Sequence, residues 1–400
     1  MTNQTKHRQW LVTLGAFATF FLFGALDNLK GPTIPFIIKG LRINYALMGN
    51  ILGLEYLGFF VATLLAGVII LRVGLKNTIL AAVALLATGL AAAAGMPHYG
   101  VWLIAFILLG LGFGALEIAG SNLMVLTFPE HKGKMLNLLN AFHGFGSMLV
   151  PLYAGTLLAF QVSWRSVFGL CLIPLLLLGV YLSLIRFPKP ESQQTEPLIR
   201  LAKTAFAPAM FWHYIAICFY VAAEIGVSAW IVEYATTVKG QPAFYSSVLL
   251  SVYFGLITGG RLLGSMIVDR VGHLKIVFWA MVGAVVSLSV GMFGPNPCVL
   301  FLAVTGLFFS IIFPTLTASF SNIARPRAAK YFGFLFASAG IGGIIGPCLV
   351  GIVGNYLQLT KSILLILVYT LIICFATVRL LCLKTQTVRA TKLPAVNQAE

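Results

Sequence analysis

Eight ionisable side chains interrupt the long apolar stretches of this 400-residue sequence. An ionisable group inside an apolar segment is costly to bury, so each is a functional candidate by default. A carboxyl group there can exchange protons near neutral pH, bind a cation or accept hydrogen bonds from hydroxyls. A buried cation most often compensates a carboxylate. The eight are Asp27, Lys30, Glu55, Glu117, His143, Glu224, Glu233 and Arg261.

The composition of the whole chain is also poor in charged residues. Hydrophobic residues make up 60% of the chain and charged residues 9%, whereas soluble domains carry about 25% charged residues. A soluble fold of this composition would expose apolar surface to water, so lipid is the expected surrounding. The net charge of +16 comes from Lys and Arg between apolar runs, which argues against a nucleic-acid partner. The six cysteines lack CxxC spacing and predict no metal site.

Twelve apolar runs are long enough to cross a membrane as helices, which takes about 20 residues each. The runs lack the alternation of barrel strands. The predicted fold class is therefore an all-α membrane protein with twelve transmembrane helices. The predicted spans are 11–38, 45–71, 77–96, 100–127, 134–159, 164–186, 209–237, 244–269, 274–294, 298–321, 331–355 and 361–383.

The basic residues between the spans predict the orientation. With the N-terminus inside, 19 of the 26 Lys and Arg residues fall on the inner side and 5 in outer loops, as the positive-inside rule requires. Both termini are predicted to be cytoplasmic, in an inner or plasma membrane, and a monomer is expected. The predicted domains are an N-terminal six-helix bundle (1–187), a cytoplasmic linker (188–205), a C-terminal six-helix bundle (206–384) and a cytoplasmic tail (385–400).

The two halves of the chain repeat each other at a shift of about 197 residues. Asp27 pairs with Glu224 in this repeat, and AFHGFGSMLVP (141–151) lies over ASAGIGGIIGP (337–347). Repeats of this kind are typical of secondary transporters, whose substrate site lies near the midplane between the halves. The sequence thus predicts two bundles related by a pseudo-two-fold axis, with a central site.

A loop signature resembles that of a known family. GSMIVDRVGHLK (264–275) resembles the G-x-x-x-x-D-R-x-G-x-x-[KR] loop of the major facilitator superfamily. The first-half copy, GVIILRVGLK, has Leu71 where the Asp belongs. Asp269, with Arg270 and Arg72, is therefore predicted to latch the cytoplasmic face through helix-end and charge contacts.

Within that superfamily the chain resembles the fucose–proton symporter-like branch over nearly its whole length. The resemblance implies the major facilitator fold, transport by alternating access and proton-coupled symport of a sugar or sugar-like polar solute. Glu117 stands at the branch's fourth-span carboxylate, which implies a proton-coupling role, whereas the branch's first-span acid falls at Gly31, one turn after Asp27. The similar segments are GLGFGALEIAGSN (110–122), NAFHGFGSMLVPLYAG (140–155), FYVAAEIGVSAWIVEYA (219–235) and FPT (313–315).

Residue chemistry completes the candidate site. Lys30 and Arg261 are predicted to compensate carboxylates, Lys30 by pairing with Asp27 three residues before it. Pro32 and Pro35 are expected to break the first span on the outward side of that pair. The predicted proton-coupling carboxylates are Glu117, Asp27 and Glu224. The predicted substrate-binding residues are Asp27, Asn28, Glu117, Asn122, Asn140, His143, Tyr220, Glu224 and Trp230.

The substrate and the coupling ion stay open at this point. Carboxylates beside aromatic rings suit a sugar, and they suit an organic cation equally well. Proton-driven efflux of amphipathic or cationic compounds and sodium-coupled sugar uptake are therefore the alternatives to proton-coupled sugar symport. No cofactor is expected besides the gradient of protons or sodium, because the chain has no GxxxxGK[ST] nucleotide-binding motif. An enzyme is not expected.

Overall fold

The computed structural model describes residues 3–187, 207–323 and 328–392, and every regular element in these ranges is a helix. The predicted linker lies outside the described residues, and the last helix continues eight residues into the predicted tail. The helices are α1 (Asn3–Asn28), α2 (Lys30–Leu41), α3 (Tyr45–Val73), α4 (Leu75–Gly95), α5 (Tyr99–Thr127), α6 (Lys132–Ala159), α7 (Trp164–Leu184), α8 (Pro208–Thr237), α9 (Ala243–Val271), α10 (His273–Phe293), α11 (Leu300–Phe309), α12 (Ile312–Ile323), α13 (Ala328–Leu357), α14 (Leu359–Ser362) and α15 (Leu364–Lys392).

The predicted span count is confirmed. The described ranges contain 12 helical spans that are long and apolar enough to cross a membrane, and their bounds agree with the sequence prediction to within five residues. Three of these spans consist of two consecutive helices: α1 with α2, α11 with α12, and α14 with α15. Helices suit this setting because they satisfy their own backbone hydrogen bonds in lipid.

The helices form two bundles with the same internal packing. In the first bundle α3 packs on α5, α1 on α6 and α4 on α7. The repeat-related pairs α9 with α11, α8 with α13 and α10 with α15 pack in the second bundle. The bundles meet through another repeat-related set, α3 with α13 and α6 with α9, and through α2 against α8. The predicted pseudo-two-fold arrangement is therefore confirmed.

Repeat-related glycines let helix backbones touch within each bundle. A Cβ atom on Gly146 would overlap the backbone carbonyl of Phe21, and one on Gly342 would overlap that of Cys218. Both glycines belong to the repeated segments that the sequence showed. Helices in lipid gain little from hydrophobic burial against each other, so close van der Waals packing through small residues drives their association.

The loop signature forms the corner between α3 and α4 and its repeat between α9 and α10. Gly74 and Gly272 stand at these corners with φ of +84° and +91°, values that strain any residue with a Cβ. Arg72 and Arg270 flank the corners and are exposed. The side chain of Asp269 lies outside the described part of the structure, so the cytoplasmic latch stays a prediction.

The first span is broken, but the expected position of the break was wrong. The break falls at Leu29, between Asp27 and Lys30, and not on the outward side of this pair. Pro32 and Pro35 both lie within α2. A proline ring clashes with the carbonyl group four residues before it, and for Pro32 that carbonyl is the last of α1. The prolines therefore act on the backbone that precedes them, where the helix is interrupted at Leu29.

We predict that Gly342→Ala lowers the free energy of unfolding by roughly 1–3 kcal/mol, the usual cost of overpacking a filled contact. The added methyl group would meet a backbone carbonyl, which cannot rotate away. Thermal unfolding of the purified protein in detergent measures the effect. Gly67→Ala is the matched control, because nothing lies within 4 Å of its Cβ position. Equal melting temperatures for the two variants would contradict the packing argument.

Candidate functional site

A buried ion triad lies at the break in the first span. The Lys30 Nζ atom is 2.7 Å from Asp27 Oδ1 and 2.6 Å from Glu55 Oε2. It also lies 5.0 Å from the ring centroid of Tyr56. The exposed side-chain fractions are 5% for Lys30, 16% for Asp27 and 3% for Glu55. Spacing along the chain predicts the Asp27 contact, whereas the Glu55 contact joins α2 to α3 and has no signal in the sequence.

The second bundle contributes an ion pair that is more open. Arg261 Nη2 of α9 lies 3.6 Å from Glu224 Oε1 of α8, with exposed side-chain fractions of 38% and 15%. The buried hydroxyl of Tyr253 donates a hydrogen bond to the backbone carbonyl of Glu224 at 3.0 Å. Tyr220 lies beside both charged groups, and its hydroxyl donates to the carbonyl of Phe309, the last residue of α11, at 3.1 Å. These contacts position Glu224 from three helices.

The triad and the pair lie close together and form what we name the central charge cluster: Asp27, Lys30, Glu55, Glu224 and Arg261. Electrostatic interaction connects Asp27 with Glu224 across the two bundles. The cluster holds three carboxylates and two cations, so one negative charge is in excess when all five groups are ionised. Among the described residues, no group of three or more His, Cys, Asp or Glu side chains is placed to hold a metal ion.

Glu117 lies apart from this cluster, on α5. Phe113, one turn earlier on the same face, stacks on Phe23 of α1 with ring centroids 5.1 Å apart. Glu117 is half-buried, and its side chain has no hydrogen bond or ion pair among the described residues. At ~1.5 Å of rise per residue, it lies roughly 12 Å further from the start of its helix than Glu55 lies from the start of α3.

Two further predicted residues border the cluster. The buried amide of Asn28 donates to the carbonyl of Gly24 and to Ser147 Oγ, both at 3.0 Å, and so joins α1 to α6. His143 is half-buried, with its ring edge-on to Phe23 at 4.6 Å between centroids. It interacts electrostatically with Asp27 and Arg261. Asn28 is thus engaged in helix packing, while His143 lies at the border between the charges of the two bundles.

No described hydrogen bond or ion pair joins the other two asparagines predicted for the substrate site to the cluster. Asn122 and Asn140 are both exposed. The Asn140 amide donates to the carbonyl of Leu136 in its own helix at 3.0 Å. Asn140 lies one turn before Gly144, which packs on Thr258 of α9, so it stands on the face of α6 that is turned toward the second bundle.

The bundles are sealed together at the end where α3 begins, which the charge distribution predicts to be the outer end. Tyr45 donates a hydrogen bond to Glu233 Oε1 at 2.9 Å, and its ring lies edge-on to Trp230 at 5.8 Å between centroids. Trp230 is fully buried and donates to the carbonyl of Pro347 at 3.0 Å. We name Tyr45, Trp230 and Glu233 the outer seal. Trp230 therefore belongs to the contact that closes the interface between α3, α8 and α13.

At the opposite end, predicted to be the inner end, the described part of α3 has few buried side chains. In this half of α3 only one stripe stays buried, formed by Ala62, Ala66 and Ile70. The side chains around that stripe are exposed, with Leu64 at 49% and Leu65 at 52%. The side chain of Arg261 is also partly exposed, whereas Trp230 and Glu233 at the sealed end are buried. The described contacts therefore close the central charge cluster from the predicted outer end.

Comparison with known families decides which one this architecture represents. The sequence profile of the Major Facilitator Superfamily matches residues 16–303 and 260–398, which together span most of the chain. The chain belongs to the Major Facilitator Superfamily. Members of this family are membrane transporters and not enzymes, so this chain is a multi-pass membrane transporter.

Curated relatives in the family cover nearly the whole chain. The glucose/galactose transporter of Brucella abortus is 24% identical over 379 residues, which is 89% of this chain and 90% of the relative. The L-fucose-proton symporter of Escherichia coli is 22% identical over 374 residues, covering 84% of this chain and 85% of the relative.

Solved structures of the family share the fold. The crystal structure of the Escherichia coli fucose:proton symporter has 20% sequence identity and a TM-score of 0.64, covering 92% of this chain and 98% of that one. A nucleoside transporter has 13% identity and a TM-score of 0.79, covering 93% and 99%. These similarities confirm the predicted major facilitator fold.

We predict that Lys30→Ala destabilises the protein more than Arg261→Ala. Loss of Lys30 leaves two carboxylates without their cation in a buried site, which costs about 3–5 kcal/mol. Arg261 is partly exposed and its loss leaves one mostly buried carboxylate, Glu224, unpaired, so it should cost less, about 1–3 kcal/mol. Thermal unfolding of both variants in the same detergent compares the costs. Equal destabilisation would show that burial does not distinguish the two cations.

Proposed function

We propose that this chain is a proton-coupled symporter of a sugar or sugar-like polar solute, working by alternating access in an inner or plasma membrane. One observation carries the proposal: the central charge cluster lies where the two bundles meet, and among the described residues the outer seal closes it from one end. A site between the halves that opens to one side at a time is the physical requirement of alternating access. We further propose that both termini face the cytoplasm and that the monomer is the working unit.

The exposed atoms of the cluster suit a polyhydroxylated solute. Asp27 and Glu224 are partly exposed, come from different bundles and occupy repeat-related positions. Their oxygens accept hydrogen bonds from hydroxyl groups, while the Arg261 guanidinium donates to hydroxyl oxygens. The ring of Tyr56, half-buried beside Lys30, offers an apolar face for C–H groups. Curated relatives named for glucose, galactose and fucose transport support this substrate class.

The charge balance of the cluster supports coupling to protons. One carboxylate of the cluster is in excess over the cations, and Glu117 is a further acid without a partner among the described residues. An unpaired charge is costly to carry through an apolar bundle, so proton binding lowers the barrier to reorientation. In the proposed cycle Glu117 takes up a proton from the outside, and the sugar binds at Asp27 and Glu224. The outer seal then closes, and both are released inside.

We predict that Glu117→Gln abolishes uphill sugar uptake while exchange of sugar down its gradient continues. The amide cannot carry a proton, but it keeps the size and hydrogen-bonding capacity of the acid. Uptake and exchange in proteoliposomes, with and without a proton gradient, measure the two activities separately. Glu130→Gln, the same change in an exposed loop, is the control and should accumulate sugar normally. Continued uphill uptake by Glu117→Gln would remove Glu117 from the coupling role.

We also predict that sugars, and not quaternary amines, raise the melting temperature of the purified protein. A ligand that binds only the folded state stabilises it by mass action, with about 2.7 kcal/mol gained at a hundredfold excess over Kd. Thermal shifts with D-glucose, D-galactose, L-fucose and a quaternary amine, at two pH values and with or without sodium, separate the alternatives. Stabilisation by the amine alone would favour export of cations, because the excess negative charge suits them. If stabilisation by a sugar required sodium, sodium and not the proton would be the coupling ion.

A further inference from the structure

The triad contains one cation and two carboxylates that compete for it. Lys30 Nζ makes a hydrogen bond and an ion pair with Asp27 Oδ1 at 2.7 Å. It is equally close to Glu55 Oε2, at 2.6 Å, but that contact is not aligned for a hydrogen bond. The ammonium group of Lys30 is therefore shared between α1 and α3, and neither carboxylate has it alone.

Glu55 has no route of its own to the solute. Its side chain is 3% exposed, against 16% for Asp27. The backbone of Glu55 is also held in place, because Gly110 of α5 packs directly on its carbonyl group. The Lys30 Nζ atom lies beside Asp27, Glu55 and the ring of Tyr56, and the Lys30 side chain is only 5% exposed. The charges that Glu55 acts on are Lys30 and Asp27, so we expect its effect on the solute to run through this pair.

The surrounding helices offer Glu55 no second cation among the described residues. The charged groups that interact with it are Lys30 and Asp27. On the neighbouring α5 the ionisable group is Glu117, which is also an acid. On the second bundle Arg261 is engaged with Glu224. Because charge neutralisation in an apolar site needs a partner nearby, Glu55 depends on Lys30.

We propose that Glu55 is a positioning residue that keeps Asp27 available to the sugar by drawing the Lys30 ammonium toward α3. This inference rests on the proposed function, in which Asp27 accepts hydrogen bonds from sugar hydroxyls. Without the Glu55 charge, Lys30 pairs with Asp27 alone, since the two are three residues apart. Asp27 then gives its acceptor capacity to the ammonium and binds hydroxyls more weakly.

A different outcome is expected if Glu55 only neutralises Lys30. In that case each lost charge would lower stability, and no second substitution at Lys30 would improve sugar binding. Competition for one ammonium instead predicts a rescue: once Glu55 is neutral, removal of Lys30 frees Asp27 again. The double variant is thus the measurement that separates positioning from a purely structural role.

The test is equilibrium binding of radiolabelled D-glucose, D-galactose and L-fucose to the purified full-length protein. Glu55→Gln should raise the Kd about tenfold, the factor expected when a charge-assisted hydrogen bond is weakened. Adding Lys30→Met to Glu55→Gln should return the Kd to within about twofold of the starting value. Adding Lys39→Met instead is the matched control. Lys39 lies on the same helix but is exposed, so its removal should leave the tenfold loss in place.

Three results would count against the proposal. An unchanged Kd for Glu55→Gln would overturn it, as would a double variant that binds no better than Glu55→Gln alone. If Glu55→Gln does not fold, Glu55→Asp replaces it: a carboxylate one methylene shorter should raise the Kd by about threefold, and an unchanged Kd would again overturn the proposal. If the unmodified protein binds none of the three sugars, the proposed function itself is wrong. If it binds a sugar but the Glu55 substitutions leave the Kd unchanged, only this inference is wrong.

Discussion

A charged group inside an apolar helix bundle must be neutralised by a partner close to it. The ammonium of Lys30 meets this requirement by contacts that connect three helices. It holds the end of α1 through Asp27, the start of α2 through its own backbone and the middle of α3 through Glu55. Asp27 and Lys30 reach each other because they are three residues apart and Leu29 between them keeps helical backbone angles (φ −62°, ψ −30°). An unpaired ammonium at this depth would be strongly destabilising, so the local geometry of three helices depends on this contact.

The second constraint comes from the lipid. Helices there associate through close packing, since apolar burial alone does not distinguish a neighbouring helix from lipid. Glycines at repeat-related positions provide that packing within each bundle, at Gly146 against α1 and at Gly342 against α8. Between the bundles the described contacts run from the outer seal to mid-span, where Gly340 of α13 packs on Phe60 of α3 and Gly144 of α6 packs on Thr258 of α9. Rigid bundles joined by a limited interface are the mechanical basis for rocking about a central site.

The two halves share a fold but divide the chemistry. The first bundle holds a buried triad that water hardly reaches, and the second holds an ion pair with a partly exposed guanidinium. A buried, fully engaged cation suits a positioning role, whereas an accessible one suits contact with a solute. Glu117 has no cationic partner among the described residues. This suits proton exchange, because a bound proton is then what neutralises its charge. The repeat thus supplies symmetry of packing, while the ionisable groups break that symmetry.

The sequence by itself determined the twelve spans, the two related halves, the corner glycines and the pairing of Asp27 with Lys30. These follow from properties that are local along the chain: apolar length, backbone conformation and side chains three residues apart on one span. Only the tertiary structure decided that Glu55 shares Lys30 and that Trp230 belongs to the outer seal. Such contacts depend on the rotation and depth of one helix against another. Neither is encoded in any short-range pattern of the sequence, because many rotations bury the same apolar surface.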